Sequence, residues 1–88
     1  MLPNLTRVIW RPHARQRLIQ RAGCRKTDAV WRTASFWGRA GRFYAWRVRV
    51  ETTDLVLLTM IQQRQWVVVS VWPLAWWEAR VATWNAAS

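Results

Sequence analysis

Residues 44–72 read YAWRVRVETTDLVLLTMIQQRQWVVVSVW. The first part alternates: Tyr44, Trp46, Val48 and Val50 are apolar, and Ala45, Arg47, Arg49 and Glu51 fall between them. Period-two alternation is the pattern of a strand with one buried face, which puts Arg47 and Arg49 on its open side. Leu55 to Ile61 is apolar on nearly every position, so both faces are buried and the strand is central. Trp66 to Trp72 has the same character. Thr53-Asp54 and Gln62 to Gln65 supply the turns. Connections this short join neighbours antiparallel, which predicts a three-stranded meander.

Upstream, Thr6 to Trp10 is a short run with β-branched residues and predicts a first strand. Arg11 precedes a proline and is held extended. Pro12 suits the first position of a helix, where its missing N–H costs nothing. That helix runs to about Arg21 and stops near Gly23. Ala14, Leu18 and Ala22 form an i, i+4, i+8 stripe with Ile19 beside it, and these face the core. His13, Arg17 and Arg21 form the adjacent stripe. Thr27 and Asp28 offer a hydroxyl cap and a first-turn acid for a second helix, with Val30, Trp31, Ala34 and Trp37 on its apolar side. Gly38 and Gly41 bracket a loop that holds Arg39 and precedes Arg42. Downstream, Pro73 starts a last helix with Leu74, Trp77, Val81 and Trp84 along one side, and Trp76, Arg80 and Thr83 elsewhere.

The expected order is therefore β-α-α-β-β-β-α. It describes one α+β domain over residues 1–88, in which helices gather on one side of an antiparallel sheet of three to four strands. The two N-terminal helices share one face of that sheet, and a C-terminal helix follows it. An 88-residue chain is near the size where one core is only just sufficient. Its 52% apolar content still argues for a folded globule. Nine tryptophans add large buried areas, but a domain this small cannot enclose all of them. Trp37, Trp76 and Trp84 are the candidates for exposure.

Thirteen arginines and one lysine against four acids give a net charge of +10. A field of that sign attracts nucleic acid, an anionic membrane or an acidic protein, and argues against a nucleic-acid mimic. The bias to arginine has two readings, of which arginine-rich coding in a GC-rich genome is one. The other is bidentate phosphate contact and stacking, which guanidinium does better than ammonium. The single cysteine, Cys24, excludes an internal disulfide and fits a reducing compartment. No signal-peptide pattern opens the chain. The longest largely apolar stretch, Trp66 to Trp77, is well short of the roughly 20 residues a spanning helix needs. These features predict a cytoplasmic protein with no membrane partner.

One histidine, one cysteine and four scattered acids make no metal-ligand cluster. Neither a metal nor another cofactor is expected. A Gly-rich phosphate loop is missing too. A metal-independent ribonuclease needs a base for the ribose 2′-OH, an acid for the leaving oxygen and cations for the phosphorane charge. His13 lies in the first turn of the Pro12 helix and is the candidate base. Arg17, one turn on, can hold the phosphate. Arg15, Arg21, Arg39, Arg42, Arg47 and Arg49 are further nucleic-acid contacts, and Ser70 or Tyr44 a polar contact or acid. Each also has a structural explanation: a surface histidine, a solvated arginine face, a serine bonded within its sheet.

His13-Ala14-x-x-Arg17-x-x-x-Arg21, followed by Gly23, resembles the first helix of a family of small bacterial domains of unknown function. That family is grouped with RelE/ParE-like toxins and the barnase–EndoU–colicin–RelE fold. Val67-Val68-Val69-Ser70-Val71-Trp72-Pro73 is similar to its last core strand, and the resemblance covers roughly residues 6 to 73. It implies His13, Arg17 and Ser70 at the site, an RNA substrate rather than DNA, and an acidic antitoxin as partner. Two functions follow as expectations. One is a metal-independent ribonuclease of toxin type. The other is a non-catalytic, phage-type inhibitor or binding module that docks on nucleic acid or an acidic host protein.

Overall fold

The computed structural model describes residues 2, 3 and 5–87, with side chains to Ala82. The order is β1 (Val8–Trp10), α1 (Pro12–Ala22), α2 (Thr27–Thr33), β2 (Ser35–Ala40), β3 (Phe43–Val50), β4 (Thr53–Gln62), β5 (Gln65–Pro73) and α3 (Leu74–Ala87). The five strands form one mixed sheet in the order β1-β5-β4-β3-β2. β2 through β5 are antiparallel neighbours, and β1 runs parallel to β5.

The meander expected over residues 44–72 is present, and β4 is the middle strand. Leu55, Val56, Leu57, Leu58 and Thr59 are all buried, so β4 has core on both sides. The turns are tight two-residue links. The first is Glu51-Thr52, two residues before the expected Thr53-Asp54, with Glu51 at φ 55°. The second is Gln63-Arg64, both left-handed at φ 52° and 60°. Positive φ at both central residues matches the right-handed twist of the flanking strands.

Four features correct the sequence-based picture of three to four antiparallel strands under helices on one side. The sheet has five strands, because Ser35–Ala40 is a strand rather than the end of α2 and a glycine loop. α2 ends at Thr33, so Ala34 and Trp37 do not lie on it. β1 is parallel to β5, held by Arg11 N–H to Val68 O at 3.1 Å and Trp66 N–H to Arg7 O at 2.9 Å. α3 covers the opposite face from α1 and α2. One core combines Ala14 and Leu18 of α1 and Val30 of α2 with Val48, Leu55, Leu57, Val68 and Val71 of the sheet. The second sets Trp77 of α3 against Ala45, Val56 and Leu58.

The helices begin and end for local reasons. α1 starts at Pro12 and stops at Gly23, whose φ of 62° lets its N–H reach Ile19 O at 2.8 Å. Ala14 and Leu18 are fully buried, whereas Ile19 is turned largely outward. α2 has Asp28 in its first turn, but Thr27 is its first residue and no side chain caps it. Cys24 is a free, partly buried thiol packed on the first core. Trp84 and Thr83 fall outside the described side chains.

Among the described residues, Thr59 is the buried polar one. Its hydroxyl accepts from Trp46 Nε1–H at 2.9 Å and donates to Tyr44 O at 3.0 Å. Thr59→Val keeps the shape but orphans the indole donor, and should cost about 1–3 kcal/mol in urea denaturation. The cost should shrink in a Trp46→Phe background, where the donor is gone.

Candidate nucleic-acid interface

Strand alternation sorts the candidate residues onto two sides of the sheet. Trp46, Val48 and Val50 pack toward α1 and α2, so Arg47 and Arg49 project from the α3 side. Arg47 lies over the ring of Trp37, 5.5 Å from its centroid. Arg49 Nε is 4.0 Å from Asp54 Oδ1, an exposed pair at the edge of contact. Such a pair contributes at most about 1 kcal/mol.

Ser70 also faces the α3 side. It is the cross-strand partner of Leu58, which belongs to the second core. A register shift between Leu58 and Thr59 turns Val69 and Ser70 the same way, while Val68 and Val71 stay in the first core. His13 is exposed on α1, across the sheet from Ser70. The structure thus keeps His13 and Arg17 together on one helix and sets Ser70, Arg47 and Arg49 on the other side of the sheet.

The arginines of α1 have separate surroundings. Arg15 is exposed. Arg17 donates to Gln20 Oε1 at 2.7 Å. Arg21 donates from Nε to Val71 O at 2.8 Å, and its guanidinium lies 4.6 Å from the Trp76 ring centroid. Arg21 therefore bridges α1, the end of β5 and α3. Trp76 and Trp37 are exposed as the sequence suggested, at 57% and 41%.

On the α1–α2 side, an aromatic cluster crosses four elements. Trp31 of α2 is 4.7 Å from Trp46 between centroids. Trp66 meets Tyr44 and Trp46 edge-on at 5.1 and 5.2 Å. Phe36 of β2 completes the group, 5.5 Å from Trp46 and 6.3 Å from Tyr44. Toward β2 the cluster opens to solvent, since Phe36 is 41% exposed. Arg39 lies 4.9 Å from the Tyr44 centroid and donates from Nε to Gly41 O at 3.0 Å. Arg42 stands 5.4 Å from the Phe43 ring in the same hairpin.

Phe36 was not legible as a site residue, because residues 34–37 read as a helix end. Tyr44 appeared only as a weak polar candidate. The available signal was the close spacing of Phe36, Trp37, Arg39, Arg42 and Tyr44, an interleaving of aromatic and basic residues. Among the described residues no group of three or more His, Cys, Asp or Glu side chains forms a metal site, and no helix is long and apolar enough to cross a membrane. No known protein family, curated protein or solved structure matches the chain.

The contrast between Arg21 and Arg17 is measurable. Arg21→Ala should lower stability by about 1–2 kcal/mol, a charge-assisted hydrogen bond discounted for partial exposure. Arg17→Ala should stay within about 0.5 kcal/mol of the parent, as a surface substitution does. Thermal melts of the two variants distinguish the roles.

Proposed function

We propose that this chain is a non-catalytic module that binds nucleic acid, RNA in the first place, through arginines spread over its hairpin edge and α1. The observation that carries the reading is an imbalance of charge. Fourteen basic residues face four acids, so ten cations have no acidic partner within the chain whatever its geometry. Arg15, Arg39, Arg42, Arg47 and Arg49 are exposed, and Arg39, Arg42 and Arg47 each stand beside an aromatic ring. Guanidinium held against a ring keeps its edge N–H groups for a phosphate.

Catalysis is left out of the proposal for a geometric reason. A general base and a general acid must both reach one phosphodiester. His13 and Ser70 lie on opposite sides of the sheet, so they do not serve one phosphodiester together. The resemblance of the His13 helix to toxin-like domains still makes cleavage the first control to run.

Fluorescence anisotropy with a labelled single-stranded RNA across a salt series tests the reading. Log K should fall linearly with log salt, with a slope of about −3 or steeper for four or more phosphate contacts. RNA incubated with the protein in EDTA should remain intact. Absence of binding, or binding indifferent to salt together with capture of an acidic protein, contradicts the proposal. Cleavage lost in His13→Ala would establish the ribonuclease instead.

A further inference from the structure

A regular β2 would put Phe36 and Arg39 on opposite faces of the sheet, because they are three residues apart. They are on the same face. The register with β3 pairs Phe36 with Trp46 and Gly38 with Ala45, leaving Trp37 as the extra residue of a bulge. After the bulge, Arg39 pairs with Tyr44 and its guanidinium lies over that ring. One inserted residue therefore brings an exposed phenyl ring, a tyrosine and an arginine together. Bulges commonly re-aim a side chain in this way.

We infer that Phe36, Tyr44 and Arg39 form a stacking subsite for unpaired bases, so that the module takes single strands in preference to duplex. The inference rests on the nucleic-acid reading above and narrows it to a substrate class. Three properties argue for this occupant. The platform is rigid: Trp46 beneath Phe36 is tied to Thr59, and Thr59 is tied to the Tyr44 carbonyl. Its open ring is the outermost, Phe36, which packs on Trp46 and Tyr44 and keeps 41% of its surface exposed. Its rim is cationic, with Arg39 on Tyr44 and Arg42 in the following turn. A ring face beside guanidinium groups complements a base joined to a phosphate. Bases within a duplex are already stacked on one another and offer no free face.

Base–aromatic stacking is sequence-tolerant, so little preference among bases is expected. Arg39 has two compatible positions. It stays on Tyr44 while a base stacks on Phe36, or it turns to the phosphate and frees Tyr44 for a second base.

The test uses the full chain with a short fluorescein-labelled oligoadenylate, its DNA counterpart and a duplex RNA. A second probe carries 2-aminopurine, whose emission is quenched on stacking. Phe36→Leu keeps apolar volume on Trp46 but removes the π face, and Phe36→Tyr restores it. Phe36→Leu should weaken single-strand binding about tenfold and abolish the quenching, while duplex affinity changes less than about twofold. Phe36→Tyr should recover both signals. Equal losses on strand and duplex, or undiminished quenching in Phe36→Leu, overturn the stacking subsite and leave general nucleic-acid binding standing. If the parent protein binds neither probe, the underlying reading fails as well.

Discussion

The structure depends on β4 being buried on both faces. Five consecutive residues, Leu55 to Thr59, have almost no solvent contact, so helices must cover the sheet from above and below. With only 88 residues, that cover is incomplete. Five strands span about 20–24 Å across the sheet, whereas one helix with its side chains covers about 10–12 Å. On one face α1 packs against β5 and α2 against β3, and on the other α3 packs against β4 and β5. The β2–β3 hairpin lies at the far edge, and there Phe36 and Trp37 meet solvent on opposite sides.

That shortage of cover connects the core to the candidate interface. Trp46 and Trp66 extend the buried cluster toward β2, and Phe36 and Tyr44 continue it outward. Thr59 sits where the two regions meet. Its hydroxyl satisfies the indole of Trp46 and anchors the backbone of Tyr44, so a polar group inside the sheet orients an aromatic surface outside it. The arginines are kept apart from this core. Arg21 is built into the fold, while Arg39 and Arg47 rest on rings at the edge with their charge largely hydrated. An exposed cation–π contact contributes only about 0.5–1 kcal/mol. The cost of redirecting such an arginine to a phosphate is correspondingly small.

Several elements were legible because local chemistry decides them. Pro12 and Gly23 bound α1, alternation over residues 44–50 marks β3, and the unbroken apolar run from Leu55 makes β4 central. What escaped the sequence depends on distant or irregular pairing. β1 runs parallel to β5, more than fifty residues away, and nothing in Val8-Ile9-Trp10 encodes that direction. β2 was masked by its own bulge, which breaks the alternation at Trp37, and by Gly38, which suggests a loop. The side taken by α3 was hidden because tryptophans 76 and 77 point in different directions from adjacent positions. For the site, helical spacing puts His13 and Arg17 one turn apart on α1. It could not show that Ser70, one step past a register shift, turns to the other face.

The central proposal is that bases stack at the aromatic edge of β2–β3, while α1 contributes charge alone. Two-dimensional ¹H–¹⁵N NMR during titration with a short single-stranded RNA tests it most directly. Shifts should concentrate on the amides of Phe36, Arg39 and Tyr44 and on the indole Nε1–H of Trp46. Shifts confined to His13 through Arg17, with the β2–β3 edge unmoved, would contradict the account.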